Sequence, residues 1–118
     1  MSMAQSTYVR TEMVGKAVVA RLLVEKIAER ESQVLQNELA AAAGPLGWRL
    51  AIDASEVTLL PSVGLGALVS MSKQCKAGGG KLVLFGLSAE LGEVLKLTRL
   101  DRMIVIAPDR EAALKALN

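Results

Sequence analysis

The chain predicts an α/β fold: a mixed β-sheet of about four to five strands covered by about four helices. Three observations carry this. Apolar segments of strand length alternate with segments whose apolar residues recur at helical spacing. Two of the strands, around Val18-Val19-Ala20 and Leu82-Val83-Leu84-Phe85, are continuous apolar runs, the signature of strands buried on both faces. Gly15-Lys16 separates the first two strands as a tight turn would, so the pattern opens with a hairpin before it becomes βαβα.

Residues 7–14 read as the first strand and 17–24 as the second. Val34, Leu35, Leu39 and Ala42 then share a helical face, with Glu31, Gln33, Gln36, Asn37 and Glu38 around the rest, until Gly44-Pro45 stops the helix. Residues 49–53 form a short strand ending in Asp53, and 54–60 lead to Pro61. From 63 to 77 the residues Leu65, Leu68, Val69, Ser72 and Cys75 lie on one face of a helix that three glycines end. Residues 81–85 form the clearest strand. Ser88 is placed to cap a helix whose Leu91, Val94, Leu95 and Thr98 face inward. A last strand at 103–107 precedes Pro108-Asp109, which start a helix with Ala113, Leu114 and Leu117 inward.

A chain of 118 residues is expected to be one domain, residues 1–118, with 1–6 as a flexible N-terminus. Hydrophobic residues make up 52%, yet only Tyr8, Trp48 and Phe85 are aromatic, so the core must be aliphatic. With a net charge of +2, no basic run and almost no stacking aromatics, direct binding of nucleic acid is not expected. Apolar runs fall far short of the ~20 residues that a membrane-spanning helix needs, and Met1 to Gln5 lacks the zones of a signal peptide. One cysteine, Cys75, permits no internal disulfide and suits a reducing, cytoplasmic setting.

Histidine is absent, which excludes serine–histidine and cysteine–histidine catalysis and leaves no ordinary zinc or iron site. No catalytic residue, metal ligand or cofactor is assigned, and the chain reads as non-enzymatic. Two glycine motifs give no nucleotide site. Val69 stands where the third glycine of a dinucleotide fingerprint belongs after Gly64-Leu65-Gly66, and Leu82 replaces the hydroxyl residue of a phosphate loop after Gly78-Gly79-Gly80-Lys81.

Ser62 has two readings. It is a helix N-cap, accepting a hydrogen bond from the N–H of Gly64 or Leu65, or it accepts a phosphoryl group where the helix dipole welcomes negative charge. Asp53 either accepts hydrogen bonds from the loop after its strand or shapes the edge of the Ser62 site. Cys75 reads as a small core residue, and Lys73, Lys76, Arg99 and Arg102 as solvated surface, with a contact role open for the two arginines.

Leu50-Ala51-Ile52-Asp53, then Ser62-Val63-Gly64-Leu65-Gly66, Gly79-Gly80-Lys81-Leu82-Val83-Leu84, Ser88-Ala89-Glu90 and Leu97-Thr98-Arg99-Leu100-Asp101 occur in an order that resembles the STAS domain family. The match is close from residue 50 onward and loose over the first 45. In the anti-sigma factor antagonists of this family the serine before x-Gly-Leu-Gly is the phosphoacceptor, a position that Ser62 occupies here. The resemblance implies a protein that binds an anti-sigma factor serine kinase, is released by phosphorylation and is restored by a phosphatase. Glu25, Asp53, Pro61, Val63, Gly64 and Leu65 are then the expected partner-binding residues. Pro61 stands where the family usually has aspartate, and Glu25 is the nearest match to the acid of its glycine-x-leucine-aspartate element. The alternative is a non-switching STAS scaffold subunit of a signalling assembly or a lipid-transport complex.

Overall fold

The structure, a computed structural model, describes residues 3–5 and 8–117. Six strands form one sheet in the order of the chain: β1 (Met3–Gln5), β2 (Val9–Val14), β3 (Ala17–Leu22), β4 (Arg49–Asp53), β5 (Lys81–Phe85) and β6 (Val105–Ala107). The first two pairings are antiparallel and the other three parallel, so the sheet is mixed as expected. The expected hairpin is present in the register Val14↔Ala17. β1, a segment the sequence reading left outside the sheet, adds a short outer strand.

Helices α1 (Glu29–Ala43), α2 (Ser62–Ala77) and α3 (Ala89–Leu97) connect β3 to β4, β4 to β5 and β5 to β6. Parallel strands joined through a helix take a right-handed crossover, and here the strand order never reverses. All three helices therefore fall on one face. Leu35 and Leu39 of α1, Leu68, Met71 and Cys75 of α2, and Leu91 and Leu95 of α3 pack there with Val18, Leu50, Ile52, Leu82 and Leu84. The other face is left to α4 (Arg110–Leu117), whose Ala113 and Leu117 cover Val19, Ala51, Val83 and Phe85. Strand side chains alternate between the two cores, which is why β4 and β5 are apolar at successive positions.

Two elements shift from their expected positions. β6 begins at Val105 instead of 103, because a 3-10 turn at Leu100–Arg102 continues with the N–H groups of Met103 and Ile104 donating to the Leu100 carbonyl. The buried face of α2 is Gly64, Ala67, Leu68, Met71 and Cys75. Leu65 and Val69 lie at its margin and Ser72 is only half-buried. A close backbone contact at Gly64, described below, sets that rotation.

The end of the sheet away from Ser62 is closed by Trp48, a left-handed residue with φ 62°. Its indole lies against Gly78, and its carbonyl oxygen accepts the N–H of Lys81 at 2.9 Å. A Cβ on Gly80 would collide with that carbonyl, so part of the glycine run is a packing requirement. Among the described residues no helix is long and apolar enough to cross a membrane.

In urea unfolding, Gly80→Ala is expected to lose several kcal/mol or fail to fold, because backbone must move to admit the methyl group. Gly66→Ala meets nothing within 4 Å and is expected to gain about 0.5–1 kcal/mol from helix propensity. Equal midpoints for the two variants would refute this account.

Candidate functional site

The site is built where three loops meet beyond the ends of β3, β4 and β5. The segment after β3 runs beside the loop that leads into α2: the Glu25 carbonyl accepts the N–H groups of Thr58 (2.8 Å) and Leu59 (2.9 Å), and Ile27 N–H donates to the Leu59 carbonyl at 3.2 Å. Lys26 and Leu59 thereby form an isolated parallel bridge. On the other side, Ala54 N–H donates to the Phe85 carbonyl at 2.9 Å, so the loop after β5 is tied to the same connection.

Gly64 fixes α2 against this strap. It is buried, and a Cβ there would collide with the Ile27 carbonyl oxygen and crowd Leu60. Only glycine allows helix and strap to approach so closely, which gives the glycine of Ser-Val-Gly a structural cause.

The position of Ser62 separates its two sequence readings. Pro61, not Ser62, is the N-cap, with extended backbone (φ −63°, ψ 169°) and no side-chain cap hydrogen bond. Leu65 N–H donates to the Pro61 carbonyl at 3.0 Å as the first bond of the helix. Ser62 is thus the first helical residue and it is exposed. The capping role expected of its hydroxyl is not the one it has. Proline suits the cap because it has no N–H to leave unpaired and its φ is already fixed. The N–H groups of Ser62, Val63 and Gly64 remain as the orphan donors of a helix start. Ser88 supplies the contrast, since its Oγ accepts Leu91 N–H at 3.2 Å and caps α3 as the sequence predicts.

Around Ser62 the surface is apolar. Leu59 is 59% exposed and Val63 43%, with Pro61 exposed between them in sequence and Glu25 and Lys26 exposed on the strap. Leu65 is half-buried against the core. Of the expected partner-binding residues, Glu25, Pro61, Val63 and Gly64 are gathered at the start of α2, and Leu65 one turn along. Asp53 is not among them. Its side chain lies on the α4 face, in a cleft with Arg10, Glu12, Arg21 and Arg110, while α2 covers the opposite face. Its Oδ1 accepts Ser55 N–H at 2.9 Å, so it holds the turn after β4. Sequence reasoning missed Leu59. The available signal was an apolar pair, Leu59-Leu60, in a loop before proline, where one residue is half-buried and the other is left outside.

The model of the family described as "Mlab, STAS domain" matches residues 12–106, which take in β3, β4 and β5, most of β2 and β6, and the helices α1, α2 and α3. The chain belongs to the STAS domain family. Solved STAS-type structures share the fold at low identity. An anti-sigma factor antagonist from Mycobacterium paratuberculosis is 22% identical, with a TM-score of 0.79 over 98% of this chain and 94% of that one. A Moorella thermoacetica RsbS carrying a serine-to-glutamate substitution is 21% identical, with a TM-score of 0.75 over 92% of each chain. Bacillus SpoIIAA in its phosphorylated form is 18% identical, with a TM-score of 0.68 over 92% of this chain and 98% of that one. Within this STAS domain Cys75 is a core residue, buried on α2, and burial pushes its thiol up to about 11.

Ser62→Ala is expected to change unfolding free energy by no more than about 0.5 kcal/mol, because no cap bond is lost. Ser88→Ala should cost about 1 kcal/mol. A reversed order in denaturant titrations would restore the capping role of Ser62.

Cys75 should stay unreactive toward a thiol reagent at neutral pH until urea unfolds the chain. Its raised pKa also makes stability present below the unfolded thiol value and lost as pH rises toward about 11, because the unfolded state then releases the proton first. Fast labelling of the native protein at neutral pH would contradict both.

Proposed function

We propose that this STAS domain is a non-enzymatic cytoplasmic protein-interaction module of the anti-sigma factor antagonist type. It binds an anti-sigma factor serine kinase through the start of α2, and phosphorylation of Ser62 releases it until a phosphatase restores it. The observation that carries the reading is the exposed Ser62, free of any capping duty, with exposed Leu59, Pro61 and Val63 beside it in the chain. Glu25 on the neighbouring strap and Leu65 one turn along complete the contact face, with Gly64 setting the approach of the helix.

The physical logic is a charge placed where the fold tolerates it and a partner does not. A phosphoryl group adds about −1.5 to −2 charge beside three open N–H groups and the positive end of the helix. The domain therefore keeps its stability. A partner docked on Leu59 and Val63 would have to desolvate that charge against apolar surface, which is costly without a matching cation. Asp53 faces the α4 side of the sheet and lies outside that apolar surface. Its part in partner binding is indirect, through the turn it holds.

A second reading is favoured by the family description, which names Mlab, together with the exposed Leu59 and Val63. A permanent interface would use the same apolar surface with no switch, making the chain a scaffold subunit of a signalling or lipid-transport assembly.

Affinity capture from native extract with wild-type, Ser62→Ala and Ser62→Asp baits separates the readings. Enrichment of a serine-kinase anti-sigma factor on the first two baits and its loss on the third is the expected result. A phosphoryl mass increment on Ser62 of the endogenous protein should accompany it. Identical partners on all three baits, with transporter or scaffold subunits among them, would instead favour the permanent subunit.

A further inference from the structure

We propose that the outer edge of β6, with the basic cleft beside it, is a second docking surface that takes an extended acidic and apolar segment of a partner protein by strand addition. Among the described residues β6 is the last strand of the sheet and pairs on one side only, with β5. Alternate backbone N–H and C=O groups of an edge strand point outward, where they template another strand. Val105 (42% exposed), aligned with Val83, lies on the α4 face of that edge, Ile106 (38%), aligned with Leu84, lies on the opposite face, and Met103 (46%) is exposed just before the strand, so both faces of the edge leave apolar surface to solvent.

Charge indicates what covers them. Residues 73–102 hold six basic and three acidic residues, a local charge of +3, against −1 for the rest of a chain whose total is +2. Lys76 and Arg102 line the same open cleft as Met103, Val105 and Ile106, with Asp101 the one acid there. Neither cation is in an ion pair among the described residues, whereas Lys81 in that cleft donates to the Ala116 carbonyl at 3.2 Å. The Ser72 hydroxyl donates to the Met103 carbonyl at 2.9 Å, fastening the approach to β6 onto α2, so the edge is presented on a fixed support.

A second copy of the chain would bring Lys76 and Arg102 against their own kind. A lipid surface would leave the edge N–H and C=O groups unpaired. An extended peptide with alternating acidic and apolar residues pairs with the edge backbone, lays its apolar side chains on the face of Val105 and turns its acids toward the face where α2 carries Lys76. Ser62 and Lys76 are 14 residues apart on α2, about 21 Å along the axis, so this surface is distinct from the Ser62 face.

The test uses the full chain and a labelled synthetic peptide of about eight residues alternating Glu with Val, the length of a short strand. Controls are the same peptide with Lys for Glu, a proline-interrupted version, and phosphatidylglycerol vesicles. Fluorescence anisotropy should show binding of the Glu–Val peptide alone, weakened at least about tenfold by Lys76→Glu with Arg102→Glu and by added salt. Ser62→Asp should leave it unchanged, and amide shifts should concentrate at residues 103–107. Val105→Glu, checked for native circular dichroism, should weaken binding as a second variant. Equal binding of the Lys peptide, shifts centred elsewhere, binding to vesicles alone, or no binding at about 1 mM peptide would overturn the proposal.

Discussion

The handedness of the β–α–β connection governs this domain. Because each parallel crossover is right-handed and the strand order runs from β3 to β6 without reversal, α1, α2 and α3 have no choice but to share one face. The opposite face is then open until the chain ends, and α4 closes it with small side chains, Ala112, Ala113 and Ala116, around Leu117. An order without reversal also lacks the crevice in which doubly wound sheets hold their ligands. What the fold offers at the ends of β3, β4 and β5 is a cluster of loops tied to one another.

That cluster is held by backbone. The Glu25 carbonyl receives two N–H groups from the loop before α2, and the Gly64 backbone rests on the Ile27 carbonyl. Side chains at the surface are therefore relieved of structural work. Pro61 takes the cap, and Ser62, Leu59 and Val63 are left to face solvent. Proline at position 61 leaves no N–H to satisfy at the approach to Ser62 and keeps the helix start rigid.

The remaining polarity of the molecule is lopsided. On the α4 face Arg21 pairs with Glu56 and Arg110 with Glu12, so charges there are mutually compensated. At the β6 edge the cations Lys76 and Arg102 are left beside exposed apolar residues. One domain thereby carries two surfaces of different character, an apolar one at the start of α2 and a basic one at the β6 edge.

The sequence by itself determined the α/β class, the hairpin, the four helices and the motif around Ser62, since apolar periodicity and turn residues are local properties. It also identified Ser88 as a cap, where residue type and position suffice. Tertiary structure decided the rest. Ser62 looked like a cap because serine often is one, but the helix begins one residue earlier than the pattern implied and Pro61 takes that place. The inward face of α2 turned toward Ala67 and Met71 because Gly64 packs on a segment nearly forty residues upstream, which no helical period encodes. Asp53 lies next to the site in sequence yet faces α4, because strand side chains alternate and only the sheet's pairing says which side is which. The exposed apolar residues of β6 were equally hidden, since apolar residues announce burial and only strand order shows which strand stands at the edge.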